Sequence, residues 1–182
     1  VTVGVKHARL VDLVYAWLTP FTDIRSAKEM TGGSSDAEFM RINQFYMETS
    51  QNMAKYQGLK TAGKEIELKY LGVYVLTVTD NSTFKGVLNI ADTVTAVNDK
   101  TFESSKEMVD YVNSQTLGDQ VKVTYEEDGK VKTAEGKIIT LENGKNGIGI
   151  GLIDRTEVSS DVPIKFSTAG IGGPSAGMMF SL

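Results

Sequence analysis

The sequence predicts an α+β fold in which a helical first third gives way to short strands and tight turns. Three observations carry this. Between Phe39 and Tyr56, apolar residues recur at three- and four-residue steps. From Lys64 the texture changes to short runs of Val, Ile, Thr and Tyr punctuated by Gly, Asn and Asp. Beyond residue 142, glycine-spaced strand segments return and lead into a Gly-Pro-Ser turn. The expected organisation joins residues 1–63 and 143–182 in one domain, with a β-rich domain at 64–142 inserted between them.

Each element has a local reason. Residues 1–5 read as a strand from their β-branched content. Residues 10–18 are a short apolar helix stopped by Thr19-Pro20. Ser35 and Glu38 have capping-box spacing and open a longer helix, whose Phe39, Ile42, Tyr46, Met53 and Tyr56 form one stripe expected to be core. Gly58 is its expected end. Residues 68–78 form a strand interrupted by Gly72, and a second strand region runs over 86–98. Ser104 and Glu107 open another helix. Residues 121–125 and the stretch from Val131 make a hairpin around Asp128-Gly129. Strands are then expected at 148–153 and 162–166. The glycines at 147, 149 and 151 lack the spacing and the following helix of a dinucleotide loop.

Composition narrows the chemistry. A chain of 182 residues with 41% hydrophobic and 23% charged content is long enough for one good core or two small ones. A net charge of −4 gives no reason to expect nucleic acid as a partner. No apolar run is long enough to cross a bilayer, and no secretory signal stands at Val1. The abrupt start inside an expected strand suits a leader or membrane anchor trimmed away. Zero cysteines removes disulfides and thiol catalysis, and the single histidine removes a His/Cys metal site. His7, in an alternating stretch, reads as a polar surface residue rather than a triad base. No metal and no cofactor are expected, and no Gly-x-x-x-x-Gly-Lys loop implies a nucleotide.

The most informative run is Gly170-Ile171-Gly172-Gly173-Pro174-Ser175-Ala176-Gly177, followed by Met178-Met179-Phe180. It puts Ser175 at the start of a helix-compatible apolar stretch, where free backbone N–H groups favour developing negative charge. Ser175 is therefore the candidate nucleophile, and the N–H groups of Gly172 and Gly173 are candidate oxyanion donors, Pro174 having none to give. A plain N-cap or a phosphate-binding turn would use the same residues.

Residues 172–180 resemble the serine motif of Lon-type proteases, and more specifically the extracellular Lon-like peptidases that carry a PDZ domain. Gly172 stands where ATP-dependent members usually carry an aspartate. The segment Tyr46-Met47-Glu48-Thr49-Ser50-Gln51-Asn52 resembles the same family. The order strand, glycine turn, strand, helix, hairpin over residues 64–142 resembles a bacterial PDZ domain, with Ala91-Asp92 in place of its usual Gly-Asp. The resemblance implies an ATP-independent serine endopeptidase with a Ser–Lys dyad. It would be anchored on the outer face of a Gram-positive membrane and would cleave short peptides such as a quorum-sensing pheromone. The dyad lysine is then expected beyond Leu182. The resemblance also makes Tyr70, Leu71, Gly72 and Val73 the loop that receives a peptide carboxylate, and Met108 and Val112 the groove lining. A structural strand and a core-facing helix account for these six residues equally well.

A serine needs a base, and a lysine serves only as the neutral amine. Lys165 is nearest in sequence but is expected to be solvated and charged. Ser82-Thr83-Phe84-Lys85 has Ser-x-x-Lys spacing but sits in a polar turn, which reads as coincidence. The alternative to an enzyme is a non-catalytic peptide-binding or assembly module in which the Gly-Pro-Ser turn is architectural.

Overall fold

The computed structural model describes residues 6–20, 22–31 and 34–166. The elements in order are α1 (Leu10–Leu18), α2 (Ala27–Thr31), α3 (Asp36–Thr61), β1 (Glu67–Val78), β2 (Thr93–Val97), α4 (Ser105–Asn113), β3 (Gln120–Glu127), β4 (Lys130–Lys137), β5 (Ile139–Thr140), β6 (Asn146–Gly147) and β7 (Ile150–Ser159). The chain separates into two units, one ending at Phe39 and the other starting at Met40.

In the first unit, α1 has no buried residue, and Leu10, Val11, Trp17 and Leu18 are all exposed. Its first turn is held by Asp12, which accepts from Arg9 N at 2.9 Å and pairs with Lys6. His7 is exposed and meets Asp36 at 3.0 Å, the surface role its sequence context suggests. Ser35 caps α3 as expected, with Ser35 N donating to Glu38 Oε2 at 2.7 Å and Glu38 N to Ser35 Oγ at 3.3 Å.

The second unit is built on a five-stranded sheet in the order β4-β3-β2-β1-β7, every neighbouring pair antiparallel. Strand β1, flanked by β2 and β7, is buried on both faces over Gly72–Leu76, which explains its continuous apolar run. Val73 and Val75 point into the main core with Phe84, Val94, Val97, Met108, Val112, Val121 and Val123. Tyr74 and Leu76 point to the other face, where Phe45 of α3 completes a second cluster. Phe45 stacks on Tyr74 with ring centroids 3.9 Å apart and planes 9° from parallel. Each fully buried valine contributes about 1.5–3 kcal/mol by leaving water. Asp128 and Gly129 both take positive φ in the β3–β4 turn, the two-residue hairpin the sequence indicates.

Several expectations are corrected. Gly58 lies inside α3; the helix runs on to Thr61, and Gly63, at φ +68°, takes the left-handed position after it. The buried residues of α3 are Phe45, Met47, Ala54 and Leu59, while Met53 is exposed. Residues 162–166 form no strand, in keeping with Pro163, which has no N–H to give a ladder. The expected boundaries at 63/64 and 142/143 both fall inside the second unit. Strand β7 pairs with β1 along ten registered positions. The expected strand at 1–5 lies outside the described residues.

Candidate functional site

The sheet leaves one edge of interest. Val75 N donates to Asp92 O at 2.8 Å and Val75 O accepts from Ala91 N at 3.0 Å, so Val75 turns its peptide groups toward the β2 side. Its partner across β7 is Leu152, and Val73 faces Asp154 in the same way. In an antiparallel ladder, residues opposite groups that point away must themselves point away. Ile150, Leu152, Asp154 and Thr156 therefore present their N–H and C=O groups to the outer side of β7. Among the described residues no strand pairs with that side.

The turn before β7 sets its first donors. Ser82 Oγ donates to Ile148 O at 2.6 Å, and Thr79 N donates to Gly149 O at 2.8 Å. A trans peptide points its N–H opposite to its C=O, so the amides of Gly149 and Ile150 aim away from the Thr79–Ser82 turn. The turn requires glycine at 149: φ is +73°, and an added Cβ would lie 2.5 Å from Thr79 Oγ1. Two successive outward amides make a small site of positive potential suited to a carboxylate.

Helix α4 flanks this edge, tied at both ends. Near its start, Ser105 N donates to Asp154 Oδ1 at 3.1 Å. Just past its end, Gln115 O accepts from Asn146 Nδ2 of β6 at 2.8 Å. Helix and strand thus run antiparallel, with the Gly149 turn toward the C-terminal end of α4 and Asp154 at its N-terminus. Ser104 caps the helix by accepting from Glu107 N at 3.2 Å. The Asp154 end is acidic. The Tyr70 phenol is pushed well above its ordinary range, first by burial and then by the charges of Asp154 and Glu107. Its Oη is buried and has no hydrogen-bond partner among the described residues, and the same holds for Oγ1 of Thr156, the residue opposite it in the ladder.

The other side of the sheet holds a cavity of about 410 Å³ lined by Arg41, Phe45, Tyr74, Asp92 and Arg155 among others. Arg155 is already engaged there, lying over the Tyr74 ring, donating to Thr93 Oγ1 at 2.9 Å and meeting Glu126 at 3.4 Å. Among the described residues no cluster of His, Asp or Glu can hold a metal ion, and no helix is long and apolar enough to cross a membrane.

The sequence-derived candidates fall as follows. Ser175, Gly172 and Gly173 lie outside the described residues. Tyr70, Leu71, Gly72 and Val73 are not a loop: they sit inside β1, where Val73 pairs with Val94 on one side and Asp154 on the other. Leu71 is the extra residue of a bulge between Tyr70 and Gly72, and β1 has no free edge here for a peptide. Met108 and Val112 are buried in the main core, whereas Val109 on the same helix is 37% exposed. Ser82 is buried with its hydroxyl committed to Ile148 O, and Lys85 pairs with Asp80, so their spacing carries no chemistry. Lys165 is exposed. The residues that sequence reasoning missed are 149–154. Their signal was the glycine series at 147, 149 and 151 directly before a β-rich run.

The family model for the PDZ domain matches residues 43–138, more than half of the chain. Solved structures that resemble it include the PDZ domain of an SdrC-like protein from Listeria monocytogenes, at 36% identity and TM-score 0.45, covering 48% of this chain and 93% of that one. The corresponding PDZ domain from Listeria innocua has 36% identity and TM-score 0.43, covering 44% and 92%. A solution structure from Geobacillus thermodenitrificans has 30% identity and TM-score 0.40, covering 44% and 94%. No curated protein matches. With a mixed α+β architecture and a five-stranded antiparallel sheet flanked by α4, this chain belongs to the PDZ domain family.

Proposed function

We propose that this chain is a peptide-binding module that captures the C-terminal end of an extended polypeptide by strand addition to the outer edge of β7. The observation that carries the reading is the row of peptide groups at Ile150 and Leu152, continued by the N–H of Asp154, which no described strand pairs; it begins at the outward amides of Gly149 and Ile150 and lies beside α4. The two amides receive the terminal carboxylate, the edge supplies main-chain hydrogen bonds, and Val109 offers apolar contact from the helix. The test is a titration of 15N-labelled protein with peptides carrying a free C-terminus, beside the same peptides amidated. Amide shifts at Gly149–Asp154 are expected with the free acids and are to be much weaker with the amides. Shifts elsewhere, or equal response to both forms, would reject the site.

A second reading is favoured by residues 172–180, whose Gly-Pro-Ser motif resembles that of Lon-like peptidases. Here Ser175 is the nucleophile of a Ser–Lys dyad, the PDZ domain holds or orients the substrate, and the enzyme works on short peptides outside the cell from a membrane anchor. A fluorophosphonate probe applied to the protein at its full natural length is expected to label Ser175 and to leave Ser175→Ala unlabelled. Equal labelling of both would end this reading.

A further inference from the structure

The open edge of β7 does not run the length of the strand. Thr49 Oγ1 donates to Asp154 O at 3.0 Å, and Asn52 Nδ2 donates to Thr156 O at 2.7 Å. Both donors project from α3, three residues apart and hence on one face of the helix. Both acceptors are outward carbonyls of β7, two residues apart and hence on one edge. Side chains of α3 therefore stand where the backbone of an added strand would otherwise donate. The helix is fixed there by Phe45 stacked on Tyr74 and by buried Met47 and Ala54.

From this we infer that α3 sets the length of peptide the module accepts, closing the edge at Asp154 so that only about the last five residues of a partner pair with it. The inference rests on strand addition to β7 as proposed above. The count follows from ladder geometry, in which bonds are exchanged at every second residue. The terminal residue, its carboxylate on the Gly149 and Ile150 amides, donates to Ile150 O. The third residue from the end exchanges both bonds with Leu152. The fifth finds Asp154 N but not Asp154 O, which Thr49 already holds. A seventh would face Thr156, whose carbonyl is taken by Asn52. The ligand class is thus a free C-terminal tail whose upstream chain leaves the sheet, not a long internal strand.

The test uses the whole chain, 15N-labelled, with two fully degenerate peptide pools bearing free C-termini, one of tripeptides and one of heptapeptides. Both pools are expected to shift amides within 149–154 and to leave Thr156 and Val158 unmoved. In Thr49→Ala/Asn52→Ala, the heptapeptide pool should extend the shifts to Thr156 and raise its affinity relative to the tripeptide pool by several-fold. Movement of Thr156 and Val158 by heptapeptides in the unmodified protein would overturn the length limit while leaving peptide capture intact. Absence of any shift on β7 with either pool would remove the capture reading, and the length limit with it. Should the double variant not fold, the wild-type pattern alone decides.

Discussion

Gly72→Ala distinguishes a sheet residue from a ligand-receiving loop, because the two assignments predict opposite kinds of damage. Gly72 has φ +130°, and a Cβ there would lie 2.2 Å from Val94 O and 3.2 Å from Thr93 Cγ2. An L side chain in that backbone region costs about 1–3 kcal/mol. The clash is with the main chain of β2, which has no rotamer to relieve it, and adds about 1–3 kcal/mol as overpacking. The total of about 2–6 kcal/mol is a large share of a domain stability of about 5–15 kcal/mol. With a urea m-value of about 2 kcal/mol/M, the unfolding midpoint should fall by about 1–3 M with the slope unchanged. Gly58→Ala is the matched contrast: an exposed helix glycine whose added Cβ meets nothing within 4 Å. It should gain about 0.5–1 kcal/mol from helix propensity. A Gly72→Ala protein within 1 kcal/mol of wild type (less than the ~1–3 kcal/mol of strain alone) that fails to bind peptide would refute the sheet assignment and restore residues 70–73 as the binding loop.

Other outcomes follow from single groups. Tyr70→Phe deletes a buried hydroxyl that has no partner among the described residues, so thermal stability should hold or rise, by up to about 1 kcal/mol; a loss above that amount would mean the hydroxyl is satisfied. Ser104→Ala removes the cap on α4 and should cost about 1 kcal/mol by urea unfolding; no change would show the cap is dispensable. Asp92 is buried, and its carboxyl is pushed above the ordinary range chiefly by that burial, partly offset by the hydrogen bond from Asn89 N. A raised folded-state value means stability is fullest below the unfolded value of about 3.9 and is lost as pH rises through the folded one. Asp92→Asn should therefore gain on wild type as pH rises above about 4; a gap that narrows with rising pH would contradict this.

What the sequence discloses about this fold is its local chemistry. Ser35 with Glu38, Ser104 with Glu107, and Asp128-Gly129 each state their element within four residues, and each forms. The apolar run from Val73 to Leu76 likewise announces a strand buried on both faces. What the sequence does not disclose is which edge of a strand is free. Val73 and Leu152 are both apolar residues beside a glycine, yet one belongs to a strand paired on both sides and the other to an edge. That difference is decided by β7 returning across about 80 residues to pair with β1, a non-local event with no period in the sequence. The same holds for Thr49 and Asn52, polar helix residues whose role depends on carbonyls more than a hundred positions away.

The placement of α3 also resolves a conflict inherent in capturing peptides by strand addition. An edge open enough to accept a ligand strand is equally open to another copy of the same chain, and a ten-residue strand such as β7 would be a template for aggregation. Covering it completely would abolish capture. Thr49 and Asn52 occupy its later carbonyls, and exposed Glu157 follows on the same strand. The part left open begins at amides that select a chain terminus, something an internal strand of a second copy cannot supply. Specificity for a carboxylate and protection of the edge are thus obtained at the two ends of the same five-residue opening, the first from the Gly149 and Ile150 amides and the second from the α3 donors, so loss of both donors should expose the edge to longer strands while leaving the carboxylate site in place.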